Sequence, residues 1–331
     1  MTAIDSPALT SHRPTQRPIW YFHLMALTTC LIWSFSYIHI IWLSDHLGPA
    51  QLVGLRMDFL ALGLVALWIW RRPRLRGYTV RQWALFIALG LTSGPAYHLT
   101  LAWGAAENRI EASLIGLIIA TVPIHVGWIA WVTLGERLSI RRIAGLLLGL
   151  GGIVLVVRGQ YGGITLWQEQ LAGPIAVTAA AILGALNTVM GRGARHAINP
   201  LDLLIISGSI GAAVCLAYQP FIDMPAAGDL PWTAWWAAFY LGIPAIGVAY
   251  LTWYSAVAGL PAASVAMYLF LTSVLSAAWA WLWQDNELGW FFAAGALLVF
   301  SGLLLEALRP RRPATPPQAA RPSALPAEDP A

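Results

Sequence analysis

The sequence contains no lysine, only two cysteines, and few charges of either sign. All 19 basic residues are arginine, which fits a GC-rich genome. Charged residues make up 10% of the chain, against roughly 25% in a soluble domain. A soluble fold is therefore excluded. Cys30 and Cys215 both lie in apolar runs, so they read as buried thiols and not as a disulfide framework. The chain has no His-Glu-x-x-His, no serine–base pair near a membrane surface and no glycine-rich phosphate loop. Those gaps remove the usual enzyme signatures, and no cofactor or metal is expected.

What the chain does have is apolar length. Hydrophobic residues are 58% of it. Ten apolar stretches approach or exceed the ~20 residues that cross a bilayer. They lie near residues 19–43, 50–70, 83–106, 110–134, 141–158, 173–191, 200–222, 232–257, 260–283 and 288–308. The arginines orient them. With the N-terminus inside, sixteen arginines fall on inner segments, while Arg109 and Arg158 are outside and Arg56 is within a span. That is a strong positive-inside bias. It accounts for the net charge of +4 without nucleic acid as a partner. The first span is too long for a cleaved signal peptide and is read as retained.

The chain also repeats itself. At an offset of 151, Pro49 maps to Pro200, Trp128 to Trp279, Glu136 to Glu287 and Gly151 to Gly302. Five spans per copy is odd, so the second copy enters the bilayer from the opposite side. Inverted repeats of this kind build two access states around one central site. The expected layout is a polar tail (1–18), a first repeat (19–158), an external linker (159–172), a second repeat (173–308) and a Pro/Ala/Arg-rich cytoplasmic tail (309–331).

Particular residues carry a resemblance. They are Leu31-Ile32-Trp33-Ser34-Phe35-Ser36, Pro49 followed by Arg56, Ala112-Ser113 followed by Pro123, then Leu134-Gly135-Glu136-Arg137-Leu138-Ser139 and the glycines from Gly145 to Gly152. Over residues 19–308 the chain resembles the drug/metabolite transporter superfamily, in its EamA-type ten-helix branch. The second copy is looser: Val274 stands opposite Pro123, and Asp285-Asn286-Glu287 replaces the Gly-Glu pair. The resemblance implies an all-α membrane protein of ten transmembrane helices in two inverted five-helix repeats, with both termini cytoplasmic. Helices 1, 3, 4, 6, 8 and 9 would surround a cavity and helices 2, 5, 7 and 10 would pack outside. It also implies a secondary transporter of the bacterial inner membrane, exporting a small polar metabolite such as an amino acid. The rival reading is a non-transporting scaffold or lipid-handling protein, which a dry apolar interior would favour. A monomer and a homodimer are both compatible with the sequence.

Ionisable groups inside a bilayer are costly and are candidates by default. Arg56 could pair bidentately with a carboxylate or phosphate, or cap an outer helix. Asp58, two residues on, does not share its face. Asp58 and His98 are the proton-coupling candidates, since His98 follows Gly94-Pro95 and an imidazole titrates near physiological pH. His39 and His125 read as packing histidines. Pro95, Pro123 and Pro244 interrupt spans 3, 4 and 8, and paired interruptions are the best sequence pointer to a transport site. Trp33, Ser36 and Tyr37 share one face of span 1, with Gly184, Asn187 and Thr188 as repeat mates. Tyr250, Trp253, Tyr254 and Tyr268 extend an aromatic lining. Gly145 and Gly149 form a GxxxG suited to close packing within the chain. Glu136 reads as a clamp beside Arg137, Arg141 and Arg142.

Overall fold

The computed structural model describes residues 17–73, 75, 77–105, 112–161, 171–284 and 289–307. Helices α1 (Ile19–Ser44) and α2 (Pro49–Arg71) come first. Next, α3 (Val80–Leu91) and α4 (Tyr97–Ala105) flank a π-helical turn at Thr92–Ala96. Then α5 (Ala112–Ile119) and α6 (Val122–Leu134) are separated at Ala120-Thr121, and α7 (Ile140–Tyr161) follows. The second half runs through α8 (Ala172–Ala194) and α9 (Pro200–Tyr218). It continues with α10 (Trp232–Gly242) and α11 (Ala249–Gly259), which flank a second π-helical turn at Ile243–Val248. It ends with α12 (Ala262–Ala266), α13 (Tyr268–Gln284) and α14 (Trp290–Ala307). There is no strand among the described residues.

Nine of these units are long and apolar enough to cross a membrane, from Ile19–Ser44 to Ala262–Trp279. The chain is thus a multi-pass membrane protein. The tenth apolar stretch appears as α14, 18 residues long, or about 27 Å at ~1.5 Å per residue. Caps set the helix ends. Thr79 accepts from the Gln82 backbone while Gln82 returns a bond to the Thr79 N–H, closing a capping box on α3. Asn199 caps α9 ahead of Pro200 at its first position. Gly135 ends α6 with φ 66°, a left-handed conformation that favours glycine.

Glycine sets the closest helix contacts. Gly145 lies against Gly302 and Gly152 against Gly295, so α7 and α14 run antiparallel with their backbones touching. A Cβ on Gly302 would sit 2.6 Å from the Gly145 carbonyl. The GxxxG of α7 therefore serves packing within the chain, with Gly149 under the Phe270 ring. Gly90 on α3 abuts the Ser207 carbonyl of α9, and Gly242 abuts the Arg56 carbonyl of α2.

One expectation about Glu136 needs correction. It does not clamp its neighbours in sequence. Its Oε1 accepts from Arg192 Nε at 2.8 Å on α8, and its Oε2 accepts from the Ala262 N–H at the start of α12. Arg142 turns to Glu306 on α14 at 3.4 Å and to Ser264 at 3.1 Å. Both carboxylates tie distant segments, which neutralises charge that adjacent arginines would leave at the bilayer edge.

Candidate functional site

Proline in a helix removes one N–H and displaces the backbone bonds around it. Ahead of Pro95, Gly94 takes the non-helical angles φ −104°, ψ −108°. At Pro244 the ladder widens, and the Ala249 N–H reaches back to the Pro244 and Ile246 carbonyls. The Ala245 carbonyl instead accepts from the Trp33 indole at 2.8 Å. Neighbouring side chains also reach the carbonyls just before each turn. Asn187 Nδ2 donates to Leu89 O at 3.3 Å, and Arg56 Nη2 donates to Leu241 O at 3.4 Å. Broken membrane helices persist where neighbours re-satisfy the freed groups in this way.

Both turns open onto one crevice. Ser93 and Gly94 from the first and Ile246 from the second line it, with Ser207, Tyr250 and Tyr254 supplying further polar groups. Its free volume of about 10 Å³ is roughly the room for a single ordered water. Around it runs a polar network. The Tyr254 hydroxyl donates to Asn187 Oδ1 at 3.4 Å, and Asn187 Nδ2 also meets Thr92 Oγ1 at 3.3 Å. Trp253 Nε1 donates to Thr188 Oγ1 at 3.2 Å. The Trp33 ring lies 5.6 Å from Tyr250 and 5.2 Å from Trp253.

Beside the crevice sits Arg56. It is 7% exposed. Its Nη1 meets His98 Nδ1 at 3.5 Å. Asp58 faces elsewhere, as its spacing from Arg56 implied. Both of its oxygens accept from Gln219 Nε2 at 2.8 Å.

Of the expected lining residues, Tyr250 and Tyr254 line the crevice, Asn187, Trp253 and Trp33 belong to the network around it, and His98 meets Arg56. Others do not join them. Ser36 bonds the Ile32 carbonyl of its own helix. Tyr268 shares a 2.7 Å hydrogen bond with His23 near the start of α1, apart from the crevice. The side chain of Tyr37 lies outside the described residues. Trp33 also does not face α8 directly, because α11 stands between and Trp253 relays the contact. Pro123 opens α6, and His125 Nε2 meets Thr121 Oγ1 at 3.2 Å across that break. His39 is stacked on Tyr240 with centroids 4.1 Å apart. Sequence reasoning missed Ser93 and Ser207. Ser93 adjoins the Gly-Pro break, and Ser207 is the residue 151 beyond Arg56, so both signals were present.

Comparison with known proteins agrees with this architecture. The model of the EamA-like transporter family matches residues 20–158 and again 171–307. A probable terminal-alkyne amino-acid exporter of Streptantibioticus cattleyicolor is 26% identical over 87% of this chain and 93% of its own length. The aromatic amino acid exporter YddG of Ancylobacter novellus is 27% identical over 42% of this chain and 47% of its own. One solved crystal structure has the same fold, with a TM-score of 0.74 at 20% identity over 87% of this chain and 96% of that one. With two matches that span nearly all its helices, the chain belongs to the EamA-like transporter family.

Proposed function

We propose that this protein is a secondary transporter of the bacterial inner membrane that exports a small polar metabolite of the amino-acid class by alternating access. It has no enzymatic role in this reading. Ten transmembrane helices form two inverted five-helix repeats, 19–158 and 173–308, with both termini cytoplasmic. The observation that carries the reading is the pair of π-helical turns. Thr92–Ala96 and Ile243–Val248 start 151 residues apart and open onto the same crevice. Contacts related by similar spacings support the repeat. Gly90 meets the Ser207 carbonyl as Gly242 meets the Arg56 carbonyl, and the α7–α14 contacts map onto one another at a spacing of 150. The antiparallel course of α7 and α14 suits opposite insertion of the two halves. Relatives named as amino-acid exporters support the substrate class. Serine, asparagine and tyrosine around the crevice favour transport over an apolar scaffold.

The test is flux. Purified protein in liposomes is offered labelled amino acids and nucleosides, with and without an imposed pH gradient. Saturable movement of amino acids supports the reading, and movement of nucleosides alone overturns the substrate class. Gradient-stimulated flux that is lost in His98→Gln but kept in Asp58→Asn assigns proton coupling to His98. Flux indifferent to the gradient makes the protein a facilitator or exchanger.

A further inference from the structure

A guanidinium carries five N–H donors and a charge that burial makes expensive. Arg56 sits inside the helix bundle with two contacts, both near the limit of hydrogen bonding. These are Leu241 O at 3.4 Å and His98 Nδ1 at 3.5 Å. Its Nε has no acceptor, and neither does His98 Nε2. Among the described residues, no carboxylate oxygen lies within 4.0 Å of it. Among the described residues the other buried arginine, Arg142, has Glu306, and the partly buried Arg192 has Glu136. Met57, the next residue on α2, lines the crevice, which places Arg56 beside it.

We propose that Arg56 is the anion receptor of the transport site, binding a carboxylate of the solute in a state in which the crevice beside Tyr250 and Tyr254, here wide enough for one water, has opened to take the remainder. The proposal rests on the transport reading above and names the charged group that the solute must carry. A planar carboxylate matches the guanidinium fork and supplies the missing counter-charge. The Leu241 contact alone does not account for the residue, because a neutral amide could serve that carbonyl without bringing a charge into the bilayer.

The probes are phenylalanine, leucine and threonine, each as the free acid and as its amide. Binding to the detergent-purified full chain is read by the concentration that half-maximally raises the melting temperature, and transport is read by competition in liposomes. The wild type is expected to bind at least one acid tighter than its amide by roughly 10- to 100-fold, the range of a charge-assisted pair. Arg56→Gln should bring the two forms to within about threefold, and Arg56→Lys should fall between, since it keeps charge but loses the fork. Equal response to acid and amide in the wild type across all three pairs, including no response to either, overturns the proposal even if Arg56→Gln does not fold. So does an acid preference that survives in Arg56→Gln. Transport without acid preference overturns the receptor and leaves the transport reading standing. Arg56-dependent acid binding without transport does the reverse.

Discussion

Asn187 sits where three helices meet, and its amide uses both ends. It donates to Leu89 O and Thr92 Oγ1 on the α3 side and accepts from Tyr254 on α11. Interhelical bonds of this kind contribute about 0.6 kcal/mol each and at most about 1.7. Asn187→Ala is therefore expected to lower stability by about 1–2 kcal/mol, read by unfolding in mixed detergent. Thr188→Val, which removes the Trp253 bond and the bond to Gly184 O within α8, should cost about 1 kcal/mol or less. A cost no larger for Asn187→Ala than for Thr188→Val would mean that the amide does not bind the three helices together. Residues whose polarity has no partner on their own helix were the legible ones: Asn187, Tyr250, Tyr254 and His98 were all expected at the site. Serine was not legible. Ser36 satisfies itself on the Ile32 carbonyl one turn back, so its place on a helix face says little about what it lines.

At the scale of elements, proline marked both π-helical turns, while the glycines set how closely their neighbours approach. A methyl on Gly90 would meet the backbone of α9 at Ser207, and one on Gly242 would meet α2 at Arg56, Phe59 and Leu60. Backbone cannot swing aside as a side chain can. Gly90→Ala and Gly242→Ala are each expected to destabilise by about 1–3 kcal/mol. Gly151→Ala should do the opposite, since nothing lies within 4 Å of it and alanine is the better helix former by about 1 kcal/mol. Melting curves of the three variants decide this. The sequence offset had matched Gly151 with Gly302, yet Gly302 is packed and Gly151 is not. One residue of register separates an apolar seam from a lipid-facing position, and no tally of glycines resolves that. The breaks in α5–α6 and α12–α13 also differ, at Ala120-Thr121 and at Met267. That matches the absence of a proline opposite Pro123.

For the whole molecule, hydropathy alone placed the apolar helices, because a backbone in lipid must satisfy its own hydrogen bonds. The ties between halves were hidden, since Glu136 and Arg192 are 56 residues apart and Arg142 and Glu306 are 164 apart. On the proposed topology both ties lie at the cytoplasmic end, where Glu136 also holds the start of α12. In the proposed alternating-access cycle these ties would hold that end closed, and an inward-opening half would have to release Glu136 from Arg192. Glu136→Gln is then expected to raise the fraction of molecules open to the cytoplasm. The readout is labelling of Ser207→Cys, a crevice position, in a background of Cys30→Ala and Cys215→Ala. A membrane-impermeant maleimide is added to inside-out vesicles. For a tie contributing ~1–2 kcal/mol the labelling rate should rise about 5- to 30-fold. Arg71→Gln is the control. Its pair with Asp202 is solvent-exposed on the arginine side, and such pairs contribute about 0–1 kcal/mol. Equal labelling rates in the wild type and Glu136→Gln would mean that the Glu136–Arg192 pair merely supports the fold, and closure of the inner end would then rest on the Arg142–Glu306–Ser264 cluster alone.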